Sequence, residues 1–308
     1  MKQKVTVFGS FVVDMMARTP HLPVPAETVR GTYFQQGAGG KGFNQGIAAH
    51  KAGGNVVMIT KVGQDPMANV AYEAMDAVGL SKEFVFVNEE VSTGVALICV
   101  DETVGQNQIV IVPGACTTIM DEDIAKVEDH IKSSAYVLVQ LEVNQDANEK
   151  VARMAKENGV RLIINTAPYQ PMKDEFLRGA YLVTPNEVEA EEITGVPVKD
   201  LESADRAAKV FFEKGVENVL ITLGSRGVYI ATKERSEILP PFKVKAIDTT
   251  GAGDAFNGGF LTALSEGKNL WEAARFAQAL AALSVQRLGT TASMPTREEI
   301  DAFLAERG

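Results

Sequence analysis

The run AYVLVQLEVNQDANEKVARMAKENGVRLIIN, residues 135–165, decides the fold class. Its ends, 135–139 and 161–165, are short apolar and β-branched runs of the kind that strands buried on both faces require. Residues 144–157 between them carry a helical pattern. Working outward, buried-strand character recurs at 5–8, 55–60, 180–183 and 218–222. Helical segments recur at 41–52, 67–78, 204–214 and 272–286, the last rich in alanine. Alternating strands and helices predict an α/β chain, a three-layer αβα sandwich around a mostly parallel central sheet. Active residues are then expected at the carboxyl ends of the strands.

Two regions break the rhythm. One runs from 11–14 through 29–34; the other is 93–101 followed by the apolar run 108–112. Both have β character with no helix between strands, and the second reads as a hairpin across 102–107. They are expected to form a small β-sheet over one end of the sandwich, as lid strands inserted at roughly 11–37 and 92–114 of one unit spanning 1–308. The competing expectation for these strands is an edge extension of the main sheet. No repeat, low-complexity tract or linker divides the chain.

Composition narrows the partners. The 308 residues are 45% hydrophobic and 23% charged, an ordinary globular balance. A net charge of −10 argues against nucleic acid or an anionic membrane as partner, since both call for basic patches. An anionic ligand would have to be held locally, by backbone amides, a few cations and metal. Cys99 and Cys116 form no disulfide framework and match no metal spacing, so both are expected to be reduced packing residues. The sequence enters a strand pattern at once and its longest apolar stretch, 277–285, is too short to span a bilayer. No signal peptide and a cytoplasmic location are expected.

The most informative chemistry lies in DTTGAGDAFNGG, residues 248–259. Glycines flank an alanine just before an aspartate, and a helix-compatible run, 255–264, follows. Bare N–H groups at a helix N-terminus favour an anion, and Asp254 sets a carboxylate beside them. An amide cradle next to a base suits attack of a hydroxyl on a phosphate group. A second cluster, GAGGKGFNQ at 37–45, also leads into a helix and satisfies G-x-G-x-x-G. A dinucleotide fingerprint should follow the first strand directly, but this one begins at Gly37, long after that strand ends near Gly9. A P-loop fails because Gly42, not Ser or Thr, follows Lys41. A glycine-lined surface for close ligand approach remains, against a plain strand-to-helix turn. Asn44 in the first helical turn is a candidate for hydroxyl groups.

Asp14, among apolar residues, and Glu142, where a buried strand emerges, either are solvated or accept hydroxyl hydrogen bonds. Asn186 and Glu189 stand three apart on one helical face, which suits a hydrated Mg²⁺ that also touches phosphate. For Glu187, Glu191 and Glu192 the preferred role is complementing the helix N-terminus. Residues 222–227, TLGSRG, join two apolar strands in a loop that could hold nucleotide phosphates or simply turn. His21, His50 and His130 have neither metal spacing nor a nucleophilic partner, and Trp271 is expected to pack at its helix start.

Taken together, GGKGFNQGIAAHKAG at 39–53, DTTGAGDAFNGG at 248–259, TPNEVE at 184–189 and LITLGSRG at 220–227 make the chain resemble the ribokinase family of carbohydrate kinases over its whole length. The resemblance implies a ribokinase-like sandwich whose β lid often serves as a dimer clasp. It implies Asp254 as base on the acceptor hydroxyl, with Gly251, Ala252 and Gly253 as anion hole. Asp14, Gly39, Gly40, Lys41, Asn44 and Glu142, with Asp254, match sugar positions. Asn186, Thr222, Gly224, Ser225, Gly227, Gly253 and Gln278 match ATP positions, and Glu189 the motif linked to Mg²⁺ and phosphate. A monovalent cation site, usually for K⁺, maps to Asp248, Thr250, Ser284, Arg287, Gly289 and Ser293. The implied activity is ATP-dependent phosphorylation of a primary hydroxyl, with D-ribose as leading acceptor. Another sugar, a ketodeoxy sugar acid or a nucleoside are the alternatives.

Two positions depart from the family pattern. Val12 stands where Asn is usual, which removes a sugar hydrogen bond. Phe43 stands where a small residue precedes Asn44, and it either reshapes the pocket or packs beneath it. The rivals are a silent sugar or nucleotide sensor on the same fold, which the intact Asp254 opposes, and a dinucleotide-dependent oxidoreductase.

Overall fold

In a computed structural model that describes residues 2–307, the strands are β1 (Lys4–Phe8), β2 (Val12–Thr19), β3 (Tyr33–Gly39), β4 (Asn55–Gly63), β5 (Val85–Asn88), β6 (Gly94–Asp101) and β7 (Asn107–Val112). They continue as β8 (Tyr136–Val139), β9 (Arg161–Ile164), β10 (Leu182–Val183), β11 (Asn218–Thr222), β12 (Val228–Ala231) and β13 (Ser236–Leu239). The helices are α1 (Lys41–Lys51), α2 (Ala68–Val78), α3 (Asp121–Lys132), α4 (Gln145–Glu157) and α5 (Asp174–Leu177). They continue as α6 (Glu187–Thr194), α7 (Leu201–Glu213), α8 (Ala252–Ser265), α9 (Leu270–Ser284) and α10 (Arg297–Arg307). Met1 and Gly308, the ends of the expected 1–308 unit, lie outside the described residues.

The main sheet has nine strands in the order β13-β12-β11-β10-β9-β8-β1-β4-β5. It is parallel from β11 to β5, and β12 and β13 run antiparallel at one edge. Two hydrophobic clusters cover its faces. Val5 and Val7 of β1 join α1, α2, α8, α9 and α10 on one side, while Phe8 joins α3, α4 and α7 on the other. That alternation along a fully buried strand is the period-2 signature of a central strand between two helical layers. The expected three-layer sandwich is therefore present.

The chain leaves β1 for β4 on one side and enters β8 on the other, so strand order reverses at β1. In such sheets the crevice beyond the carboxyl ends at that point is the natural binding place. Gly9 and Ser10 after β1, and Gln140 to Glu142 after β8, line it.

The lid is a separate four-stranded sheet, β3-β2-β6-β7, and not an edge extension of the main one. β6 and β7 form the expected hairpin, and β2 pairs β3 antiparallel and β6 parallel. Its strands fall within the expected insertions, except that β3 continues past 37 to Gly39. All six residues of β7 are exposed although four are apolar.

Helices α1 and α8 carry the site, and glycines set how closely they meet. A Cβ on Gly258 of α8 would lie 2.5 Å from Ala48 Cβ and 2.6 Å from the Gln45 carbonyl oxygen of α1. On the next face, one on Gly259 would lie 3.0 Å from Leu280 of α9. Two adjacent glycines thus let α8 sit between α1 and α9, which brings the first turns of α1 and α8 together.

Candidate active site

Asp254 lies in the first turn of α8, 7% exposed, and both its oxygens accept side-chain amides from α1. Asn44 Nδ2 donates to Oδ2 at 3.0 Å, and Gln45 Nε2 donates to Oδ1 at 2.9 Å. A carboxylate only accepts, so Asn44 must turn its nitrogen to Asp254. Asn44 Oδ1 is then buried with no hydrogen-bond partner among the described residues. An orphaned buried acceptor is costly unless a ligand donor meets it, which fits the hydroxyl group expected there. Burial raises the Asp254 pKa; Lys41 and the two amides oppose that, and Glu142 adds to it.

Glu142 and Asp14 stand on the same side. Glu142 Oε2 accepts Ser10 Oγ–H at 2.5 Å and the Lys41 backbone N–H at 2.8 Å, so a carboxylate closes the N-terminus of α1. Asp14 on β2 lies against Gly39, where a Cβ would come within 2.3 Å of its carboxylate. Burial pushes its pKa up to about 6; a hydrogen bond from Thr290 opposes that, and Glu142 and Asp254 add to it. Burial disfavours the Lys41 ammonium, but the Asp254, Glu142 and Glu189 carboxylates outweigh it and hold its pKa above the ordinary value. Asp14, Gly39, Gly40, Lys41, Asn44, Glu142 and Asp254 thus share one region where β1, β3, β8, α1 and α8 end or begin.

Of the glycines in 37–42, Gly37 has open space beside it, but Gly40 and Gly42 do not line an open surface. Gly40 caps α1 at φ 90°, and a Cβ there would lie 2.9 Å from Phe11 Cα. One on Gly42 would lie 2.5 Å from Gly9 Cα. Both are packed backbone to backbone, as a tight strand-to-helix turn requires, because this is the only way α1 can start against the end of β1. Phe43 packs edge-on against Phe11 with ring centroids 4.8 Å apart and is fully buried, so it lies beneath the site. Val12 is also buried, its Cγ1 turned toward Gly94 of β6.

Gly251 caps α8 in the left-handed region at φ 74°, and a Cβ on Gly253 would meet nothing within 4 Å. First-turn amides have no intrahelical acceptor. Of the three expected anion-hole residues, Ala252 N–H already donates to the Thr249 carbonyl at 3.2 Å.

The expected nucleotide residues meet one another in pairs. Thr222 N–H donates to the Pro185 carbonyl, and Asn186 and Thr222 form an isolated parallel bridge. Gly224, at φ 53°, and the exposed Ser225 have open surroundings. Gly227, at φ 104°, lies so near the Leu239 carbonyl that a Cβ would come within 2.1 Å. Gln278 Nε2 donates to that same carbonyl at 3.2 Å.

Asn186 and Glu189 form a capping box at the start of α6. Glu189 accepts from Asn186 N at 3.0 Å, Asn186 Nδ2 at 2.8 Å and Thr166 Oγ1 at 3.2 Å. The helix-capping role reserved for its neighbours thus extends to Glu189, while Glu187 pairs with Arg226 of the 224–226 turn. Among the described residues no three His, Cys, Asp or Glu side chains cluster as a metal cage. Mg²⁺ held through waters, one acid and nucleotide phosphates needs no such cage.

Of the expected monovalent-cation residues, Asp248 ties three segments: its carboxylate accepts Thr250 N–H at 2.9 Å and Gly289 N–H at 3.0 Å, and its own N–H donates to Val285 at 3.1 Å. Ser284 and Ser293 are buried nearby in sequence, their hydroxyls on the Ala281 and Thr290 carbonyls. The Arg287 side chain pairs with Glu299.

Sequence reasoning missed two features. Thr290 bridges the 287–293 turn to the sugar side, with Oγ1 2.9 Å from the Ala38 carbonyl and 3.3 Å from Asp14 Oδ2. A buried polar network joins Gln45, Gln140, Asn165, Thr184 and Asn257 behind Asp254. The available signal was a polar residue directly after each of three apolar runs, at 140, 165 and 184.

Comparison with known proteins agrees with this geometry. The pattern of the pfkB family carbohydrate kinases matches residues 2–297. The chain is 42% identical over 304 residues to a ribokinase of Haemophilus influenzae, covering 99% of each chain. It is 32% identical to a deoxyribokinase of Salmonella typhi, covering 98% of each. Arabidopsis thaliana ribokinase, solved with ribose and ATP, superposes with a TM-score of 0.91 at 31% identity and 99% coverage of both chains. Among the described residues no helix is long and apolar enough to cross a membrane.

Proposed function

The chain belongs to the pfkB family of carbohydrate kinases, and from that premise we propose that it transfers the γ-phosphoryl group of ATP to the primary hydroxyl of D-ribose, giving ribose 5-phosphate. The observation that carries this is the contact of α1 with α8, where Asn44 engages Asp254 at 3.0 Å and keeps an unpartnered oxygen for a hydroxyl donor. Asp254 takes the proton of the acceptor hydroxyl as that oxygen attacks phosphorus in line. The amides of Gly251 and Gly253 stabilise charge on the transferred group, with Ala252 N–H already given to the Thr249 carbonyl. Asp14, Glu142 and Lys41 orient the sugar, and Asn186, Gln278 and the 222–227 loop hold the nucleotide.

Mg²⁺ would reach Glu189 through water and neutralise phosphate charge when bound. K⁺ would sit among Asp248, Thr250 and the carbonyls of Ser284, Arg287, Gly289 and Ser293. The lid is expected to pair two chains, since β7 carries exposed Ile109, Val110, Ile111 and Val112 on an unpaired edge. With ATP as donor the expected location is the cytoplasm.

A coupled ADP-release assay over ribose, 2-deoxyribose, fructose, a ketodeoxy sugar acid and nucleosides, with and without potassium, tests the reading. Ribose should give the highest kcat/KM. A higher value for 2-deoxyribose would transfer the assignment to that sugar, and no sugar-stimulated ADP release would leave only a binding protein.

A further inference from the structure

We propose that Gln45 is a positioning residue that fixes the Asp254 carboxylate in the orientation in which it receives the proton. The inference rests on the reading of Asp254 as the base. Gln45 is fully buried, and its side-chain amide is completely used. One N–H goes to Asp254 Oδ1 at 2.9 Å and the other to Asn165 Oδ1 at 3.0 Å, while Oε1 accepts Gln140 Nε2 at 2.7 Å.

The carboxylate dictates these directions. Asp254 can only accept, so Gln45 must present nitrogen to it and oxygen to Gln140; Gln140 must then present nitrogen in turn. The cost is visible at the far end, where Gln140 Oε1 is buried without a partner against Gly9, at which a Cβ would lie 2.0 Å from it. A buried orphan of this kind is tolerated where it serves a function. The second branch leads through Asn165 Nδ2 to the Thr184 carbonyl at 2.9 Å, and through Thr184 Oγ1 to Asn257 Oδ1 at 2.7 Å. Asn257 Nδ2 closes on the Gly253 carbonyl at 2.9 Å. The base and its adjoining amide turn are thereby tied to residues at the ends of β8, β9 and β10, which is how a rigid sheet preorganises a reacting group.

In the step itself the hydroxyl proton passes to the Asp254 carboxylate as the bond from that hydroxyl oxygen to phosphorus forms and the bond from phosphorus to the ADP oxygen breaks. Each carboxylate oxygen already holds one amide donor, Gln45 on Oδ1 and Asn44 on Oδ2, so the two amides together fix the plane in which the remaining lone pairs meet the hydroxyl. The other ionisable groups facing Asp254 are Lys41 from α1, Glu142 after β8 and Asp14 from β2. Lys41 favours the ionised carboxylate and the two acids oppose it, so the Gln45 donor adds to Lys41.

The test is the Gln45→Met variant, which keeps length and loses both donors. We expect kcat to fall about 10- to 100-fold with both KM values within about twofold, in the range of a misplaced general base. The acid limb of the kcat–pH profile should move up by about one unit, because the ionised form has lost a donor. Lower kcat with an unmoved acid limb would mean a purely structural role and overturn the proposal. Asn165→Ala, which leaves Gln45 in place but frees its second N–H, should shift the limb the same way by less. It decides the matter if Gln45→Met does not fold. Asp254→Asn separates the two readings: near-normal turnover there removes the base itself, whereas an inactive Asp254→Asn beside an unaltered Gln45→Met removes only the role of Gln45.

Discussion

The turn into α1 and the turn into α8 carry the same sequence signal, glycines just before and inside a first helical turn, in opposite surroundings. At α1 the glycines are filled: Gly40 and Gly42 press on the backbone of 9–12, and Glu142 already takes the Lys41 amide at 2.8 Å. At α8 a Cβ on Gly251 would touch Thr290 at an ordinary 3.4 Å, but Gly253 is open, with nothing within 4 Å of a Cβ there and no acidic side chain on the amides that begin the helix among the described residues. A helix N-terminus attracts an anion in either case. One anion is supplied by the chain and the other must come from the ligand. Glycine spacing alone does not distinguish them; the occupant does.

Exchanging a glycine for alanine at each turn is the sharpest way to break that contrast. Gly42→Ala forces a methyl to within 2.5 Å of Gly9 Cα and 2.7 Å of Ser10 N, backbone atoms that cannot yield. We expect about 3 kcal/mol of destabilisation or more, measured by urea unfolding, in line with overpacked cores. A stable Gly42→Ala protein would mean that the α1 turn has slack. Gly253→Ala should do the reverse. Its melting temperature should hold or rise slightly, since alanine is the better helix former. Turnover should fall about 100-fold as the methyl occupies the ligand's space, comparable to loss of an oxyanion donor. Retained kcat in Gly253→Ala would overturn the reading of this turn as a cradle that the ligand fills.

The same contrast explains what could be read from residues alone. The buried parallel strands were legible because a strand covered on both faces must be apolar, as 136–139 and 162–164 are. β5 and β13 were not, since half-buried edge strands such as Ser236–Leu239 carry no such run. Asp254 and its turn were legible because their function depends on local backbone. The packed role of Gly40 and Gly42 was not, because it depends on residues 9–12, which reach them only through the sheet. Gln45 and Asn257 lie on α1 and α8 while Asn165 and Thr184 follow β9 and β10, so although polar residues after apolar runs mark strand ends, no spacing signals that these four meet.

Two acids flank the α1 turn, and only one of them is satisfied by it. Asp14 has no helix amide and titrates at about 6. Its folded pKa lies above the ordinary 3.8, so protonation favours the folded chain. The penalty for its charge is absent below about pH 4, grows between 4 and 6, and is complete above 6. Asp14→Asn should therefore stabilise the ligand-free protein by about 1–3 kcal/mol at pH 8 and by nothing near pH 4. It should also raise the sugar KM. In the unaltered protein the sugar KM should climb as pH falls through about 6 and Asp14 loses its charge. A pH-independent stability difference would show that Asp14 is solvated rather than buried.

Glu142→Gln is the mildest test and the most direct one of the built-in anion. The glutamine oxygen can still accept from Ser10 and Lys41, so the hydrogen bonds survive and only the charge at the α1 N-terminus is lost. Stability should drop by about 0.5–1 kcal/mol, the usual value of a charge at a helix end, and less at high salt. Lys41, held above its ordinary pKa partly by Glu142, should titrate lower. One carboxylate oxygen takes both protein donors, which leaves the other for a sugar hydroxyl, so the sugar KM should rise modestly. The thermal shift on adding ATP should stay as in the parent, because the proposed place for the nucleotide's phosphates is the α8 turn and not the α1 turn. If Glu142→Gln lost that shift while Gly253→Ala kept it, the assignment of the two turns would have to be exchanged.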